Sequence, residues 1–166
     1  MLIGAISDTH DNLPNIEKAV EIFNEKNVQL VLHAGDYVAG FVIPKLAKLN
    51  CPLIGVFGNN DGDHELLKKK FSETKNCTIH ERFTQVSIEE NYKIALLHGH
   101  ETELLKVLLN CEYFNAVVHG HSHILGIQQK GKTLSINPGE ACGYLSGKPT
   151  IAILDTTKNQ ATLIDL

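Results

Sequence analysis

Five short apolar runs in this chain each stop at residues rich in glycine, histidine, aspartate or asparagine. LIGAIS runs into DTHD, LVLHA into GDY, LIGVF into GNND, IALL into HGH, and AVV into HGHSH. Apolar runs of this length bounded by turn residues predict strands. A sheet gathers strand ends along one edge, and ligand sites of α/β sheets lie outside the carboxyl ends of their strands. The repeated ending therefore constrains fold and site together. Glycines at 35, 58, 99 and 120 suit sharp turns and close backbone approach at those ends.

Between the runs the pattern alternates. Strands are expected at Leu2–Ile6, Val28–His33 and Leu53–Phe57. Helices are expected at Pro14–Asn27, with Asn12 as cap and Pro14 in the first turn, then near Phe41–Leu49 and Asp63–Phe71. A β-α-β-α-β opening implies parallel strands with helical crossovers. The second half is richer in strands: Thr78–His80, Thr84–Ile88, Tyr92–Leu97, Ala116–Val118, Leu125–Gln129, Thr133–Ile136, Thr150–Leu154 and Ala161–Ile164. One further helix is expected at about Glu101–Leu109, and QQKGKT reads as a hairpin turn. So many strands with few helices predict two packed mixed β-sheets flanked by helices.

At 166 residues with 43% hydrophobic residues, one domain spanning 1–166 is expected, with no linker, repeat or accessory domain. No run approaches the length of a membrane span, and no basic segment precedes the first apolar run, which argues against a signal peptide. The four cysteines form no C-x-x-C pair, so they read as reduced core residues of a cytoplasmic protein. A net charge of −4 without a lysine-rich tail argues against nucleic acid as partner.

Taken singly, each polar ending has a plain structural explanation. Asp8 and His10 are ordinary loop polars, Gly35–Asp36 and GNND are ordinary turns, and His98 suits a hydrogen-bonded core position. Five such endings in one short chain point instead to a metal centre. Carboxylate, imidazole and amide oxygen without thiolate suit Mn, Fe, Co, Ni or Zn in an open site. Seven candidate ligands exceed what one ion uses, whereas two ions about 3.5–4 Å apart sharing a carboxylate would employ them.

In order along the chain, DTH, GD, GNND, HGH and GHSH resemble the motif set D-x-H, G-D, G-N-x-[DE], H, G-H-x-H of the calcineurin-like metallophosphoesterases. The short length and the NPG at 137–139 are similar to the small prokaryotic phosphodiesterase (YfcE-type) subfamily. The resemblance implies a four-layer α-β-β-α sandwich. It implies that Asp8, His10 and His123 hold one divalent ion, that Asn59, His98 and His121 hold the other, and that Asp36 bridges them. Manganese is the favoured metal, with Ni, Co, Fe or Zn as alternatives. The implied reaction is in-line attack on a phosphodiester by a metal-bound hydroxide, with no side-chain base. Two divalent ions, two carboxylates and a hydroxide sum to about +1, a charge better matched by a small diester monoanion than by a monoester dianion.

Two positions depart from the family pattern. Asn60 stands where many members carry a histidine bonded to the following acid, here Asp61. Asn60 is expected to contact phosphate without donating a proton, and Asp61 to support the site from behind. Glu140 stands where many relatives carry serine and is expected to be an exposed turn carboxylate. His119 reads as a core or supporting residue, as do His33, His64 and His100. Two other readings of the same motifs are a non-catalytic interaction scaffold, as in the retromer subunit that resembles this subfamily, and a nuclease. The presence of all seven ligands disfavours the first and the acidic balance the second. Oligomerisation is compatible with the sequence and not demanded by it.

Overall fold

The computed structural model describes residues 1–88 and 91–166. Strands β1 (Leu2–Ile6), β2 (Leu30–His33), β3 (Leu53–Val56) and β4 (Cys77–His80) alternate with helices α1 (Leu13–Glu25), α2 (Ile43–Leu46) and α3 (His64–Ser72). There follow β5 (Phe83–Ile88), β6 (Tyr92–Leu97), helix α4 (Thr102–Asn110), β7 (Ala116–Val118), β8 (Gly126–Lys130), β9 (Thr133–Asn137), β10 (Thr150–Asp155) and β11 (Gln160–Asp165). They form a six-stranded sheet in the order β11-β10-β1-β2-β3-β4 and a five-stranded sheet in the order β5-β6-β7-β9-β8. Both are mixed. β1 through β4 run parallel, β10 is antiparallel to β1, and β11, antiparallel to β10, returns to the direction of β1; β6, β7 and β9 run parallel with antiparallel edges.

Period-two alternation builds the layers. Ile3 and Ala5 on β1 face Ile94 and Leu96 on β6 and Val118 on β7, forming the core between the sheets. On the opposite pleat, Ile6 and Val31 pack against Ile16, Val20 and Phe23 of α1. Ala95, Leu97 and Val117 turn outward onto Leu108 of α4. Three apolar layers therefore separate four structural ones, giving the expected α-β-β-α sandwich. At Gly4 any Cβ would meet the Phe23 ring at 2.6 Å, so α1 lies directly on the backbone of β1.

Element boundaries follow local chemistry. The Asn12 side chain accepts from the Asn15 N–H to open α1, and Asp63 accepts from the Leu66 N–H to open α3. The helix expected over 41–49 is instead a 3-10 turn at Gly40–Val42 and one α-turn. The carbonyls of Ala47 and Leu49 accept from the Asn76 amide, and that of Lys48 accepts from Asn24. These tertiary bonds stand in for the helical ones. Among the described residues no helix is long and apolar enough to cross a membrane.

Candidate metal centre

The carboxyl ends of β1, β2, β3, β6 and β7 meet at one edge of the sandwich. Main-chain bonds tie the first two ends together. The N–H groups of Asp8, Thr9 and His10 donate to the carbonyls of Gly35 and Asp36 at 3.1 Å. Among the described residues ten non-glycine positions have positive φ, and five of them are Asp8, His10, Asp36, His121 and His123. Asp and His tolerate this region better than most side chains, yet its concentration here marks a backbone bent to aim side chains inward.

Two glycines make room for the carboxylates. A Cβ on Gly58 would overlap the Asp36 carboxylate, and one on Gly120 would overlap Ser7 Oγ and reach Asp8 Oδ2. Asp61 shapes the second loop. Its carboxylate accepts from the N–H groups of Asp36 (3.0 Å), Tyr37 (2.7 Å), Val38 (2.8 Å) and Gly58 (2.7 Å). Burial raises the Asp61 pKa and these donors oppose that; the group remains above its ordinary value.

The inward side chains converge on two buried carboxylates. Asp36 Oδ2 lies 3.5 Å from His10 Nε2 and 3.4 Å from His98 Nε2, between two imidazoles from different sheets. Asp8 Oδ1 lies 3.2 Å from His123 Nε2 and 3.8 Å from His10 Nε2. Asn59 Oδ1 sits 3.0 Å from His98 Nε2, and the His121 ring is 5.2 Å from the His98 ring. All seven residues singled out in the sequence are thus brought to one place. Burial opposes ionisation of Asp36, but His98 and Asn60 outweigh it and hold this carboxyl well below the usual range.

The donor set suits divalent ions on physical grounds. Asp8 and Asp36 are fully buried, and no lysine or arginine bonds to either among the described residues. Asp8 Oδ1 and His10 Nε2 are buried without a hydrogen-bond partner among the described residues. Buried anions and orphaned acceptors in such a cluster are what a cation would satisfy. Asp8, His10 and Asp36 present donor atoms all within 4.8 Å of one another.

Residues 1–159 match the calcineurin-like phosphoesterase superfamily domain. The chain belongs to that superfamily. It is 44% identical over 160 residues to a phosphodiesterase of Methanocaldococcus jannaschii, covering 96% of each chain. The Escherichia coli phosphodiesterase YfcE is 27% identical over 158 residues, which cover 86% of this chain and 80% of that one. A solved archaeal phosphodiesterase superposes with a TM-score of 0.94 at 43% identity, covering all of both chains. These similarities place the chain with the small prokaryotic members of the family, and the fold class is theirs.

Against that family pattern, the two departures turn out differently from each other. Asn60 donates from its main-chain N–H to Asp36 Oδ1 at 2.9 Å and from its amide to Oδ2 at 2.7 Å, at the exposed mouth of the centre. Glu140, expected to be exposed, is fully buried. Its carboxylate accepts from His123 Nδ1 at 2.8 Å, from the Leu145 N–H at 3.0 Å, and from the Ser146 N–H. Burial alone would raise its pKa; the Ser146 and His123 donors instead bring it down to about 2. The position is buried because the 140–146 segment is pinned to the loop that follows β1, with Ala141 N–H donating to Ser7 O and Cys142 N–H to Asp8 O, both at 3.0 Å.

Cys142, expected only as a reduced core cysteine, adjoins the centre as well. Its sulfur belongs with His10 and His123 to a group whose donor atoms lie within 4.8 Å. Burial pushes this thiol up to about 12, and it donates to Glu140 Oε2 at 3.2 Å, so it adjoins the centre as a neutral thiol. Spacing held no signal for either residue, since the segment reaches the site only through tertiary contacts.

The remaining histidines stand behind or beside the centre. His33 is fully buried, stacked on Tyr37 at 3.9 Å, and burial brings it down to about 3. Its Nδ1 accepts from the Gly35 N–H at 3.1 Å, which leaves the Nε2 proton for Thr9 Oγ1 at 3.2 Å. His119 bonds Ser135 Oγ through Nε2 at 3.0 Å, and burial brings it down to about 4. His64 stacks on Phe57. His100 lies 5.5 Å from the His98 ring, beside the candidate ligands.

Proposed function

We propose that this chain, acting as one domain over residues 1–166, hydrolyses small phosphodiesters at a dinuclear divalent-metal centre. One observation carries the reading. Seven donor side chains from five strand ends, two of them buried carboxylates, converge at one place, and Asp8 Oδ1 and His10 Nε2 are left unpartnered among the described residues. Asp8, His10 and His123 hold one ion, Asn59, His98 and His121 the other, and Asp36 is shared. The named activities of the archaeal and E. coli relatives favour a phosphoric diester as substrate. Manganese suits the oxygen and imidazole donors, and the neutral Cys142 thiol offers no thiolate that would favour a softer ion.

Divalent ions in that set supply electrophilic activation of phosphoryl oxygens and a water deprotonated near neutral pH. The chain's own residues do the remainder. Asp36, flanked by His10 and His98, keeps both halves in fixed relation. Asp61, by anchoring four N–H groups, holds the Asp36 loop in its left-handed turn from one side, while the N–H groups of Thr9 and His10 hold the Asp36 carbonyl from the other. Asn60 presents an amide at the mouth, where it orients a phosphoryl oxygen but has no proton to give the leaving group.

The test is direct. Purified protein is analysed for bound metal and assayed with bis(p-nitrophenyl) phosphate and p-nitrophenyl phosphate, with and without added Mn. Up to two ions bound and a preference for the diester are expected. Wild-type protein that binds no metal and cleaves neither compound refutes the enzyme and leaves the scaffold reading. Activity unchanged in Asp36→Ala and His98→Ala refutes the site.

A further inference from the structure

The fully buried Glu140 carboxylate is an anion whose only cation-capable hydrogen-bond partner among the described residues is His123. A carboxylate only accepts, so a neutral His123 facing it keeps its proton on Nδ1. The Nε2 lone pair then faces Asp8 Oδ1 at 3.2 Å, which is also an acceptor. Two acceptors held at that distance call for a cation between or beside them.

The other half of the centre has a weaker backing. His98 directs Nδ1 to the neutral Ala34 carbonyl at 2.7 Å, which fixes the ring without adding charge. His121 is held through its main-chain N–H on Asp8 Oδ2 at 3.1 Å. A carboxylate behind a ligating imidazole raises its basicity more than a carbonyl does and fixes its tautomer.

We propose that Glu140 is a positioning residue that locks His123 with its proton on Nδ1 and makes the Asp8–His10–His123 position the tighter of the two metal positions. This rests on the reading of the centre as dinuclear. Glu140 also accepts from the Leu145 N–H, so the same carboxylate secures the loop bearing the exposed Tyr144 and Leu145 beside His123. The Cys142 thiol fills a remaining acceptor direction of Oε2.

Two measurements on the full-length chain test this. Mn binding to metal-stripped wild-type and E140Q protein is followed by titration calorimetry and by the EPR signal of free Mn. Wild type is expected to show a tight and a weaker site, and E140Q a loss of about 10–100-fold at the tight site alone. Equal affinities in the two proteins, or equal weakening at both sites, overturn the proposal while leaving the dinuclear centre intact. Wild type that binds no Mn overturns the dinuclear reading itself. The second measurement needs no variant and decides the matter if E140Q does not fold. Nitrogen-15 NMR of the metal-stripped wild type, well above the histidine titration range, should show His123 protonated at Nδ1 and bare at Nε2. The opposite tautomer overturns the proposal.

Discussion

Asp8, His10 and His123 lie against a buried wall, whereas Asn59, His98 and His121 are shared between the core and the surface. The first group has its own carboxylate and a second one, Glu140, behind His123. The second group is an amide and two imidazoles, with Asn59 and His121 exposed and only His98 buried. Its side chains meet the Asp36 carboxylate through His98, while His121 reaches Asp8 only through its main-chain N–H. Charge is therefore distributed unevenly across a centre that the repeated motif endings present as symmetrical. On the proposed reading, the walled half retains its ion and the open half exchanges its ion and meets substrate.

Removing the shared element should erase the difference. Asp36→Ala takes away the carboxylate proposed to be shared by both ions, and diesterase activity should fall by about 10³-fold, the scale of losing a principal electrostatic stabiliser. Metal analysis of the same variant should show both positions depleted. Retention of two ions at wild-type affinity would separate Asp36 from the centre.

Asp61 supports the open half through the backbone. Asp61→Ala leaves four N–H donors without their acceptor, three of them buried and each of those costing more than an ordinary lost bond. A destabilisation of about 3 kcal/mol or more is expected, lowering Tm by roughly 6–12 °C for a chain of this size. Thermal unfolding in the presence of a chelator isolates this from metal binding. A shift near zero would mean that the Asp36 turn holds itself.

These two residues also show what the sequence discloses. Every expected strand is present because alternation of apolar residues survives in each short run, as in Ile94 and Leu96 against Ala95 and Leu97. The inward-facing Asp, His and Asn were legible because they follow those runs directly. Asp61 was legible as a supporting residue, but its partners were not, since it clamps the amides of 36–38 rather than the side chain beside it. Glu140 was misread as exposed because its burial depends on the loop after β1, more than a hundred residues earlier, through the Ser7 and Asp8 carbonyls. Local pattern reports what a strand end carries, and only tertiary pairing reports which loop closes over it.

His33 lies behind both loops, bonded to Thr9 of the walled half and to Gly35 beside Asp36. Burial lowers its pKa from 6.5 to about 3, so it folds as the neutral form. The unfolded chain then binds the extra proton between those values, so stability rises with pH across that window. It is complete above about 6.5 and is lost as pH falls toward about 3. The contribution is about 1.4 kcal/mol per pH unit. Urea unfolding with chelator at pH 6 and about 5 should show this slope in wild type and a smaller one in His33→Gln. Equal slopes would assign the acid sensitivity to other groups.

Asn60 offers the finest distinction, because it sits at the mouth and bonds the shared Asp36 through both main chain and side chain. An amide stabilises charge on phosphate but transfers no proton, so the leaving oxygen departs as an anion. Rate should then fall steeply as the leaving group becomes more basic, with nitrophenyl diesters turned over much faster than alkyl ones. Asn60→His places a titratable group at the same mouth and should flatten that dependence. A gain of about 10-fold for alkyl esters is expected, below the 10²–10⁴-fold of an evolved acid because the adjacent Asp61 carboxylate is already engaged by four main-chain N–H groups. The gain should disappear at pH values that deprotonate the imidazole, which distinguishes proton donation from improved phosphate binding. A flat leaving-group dependence already present in wild type would place the proton donor elsewhere, with His100, 5.5 Å from the His98 ring, as the next residue to substitute.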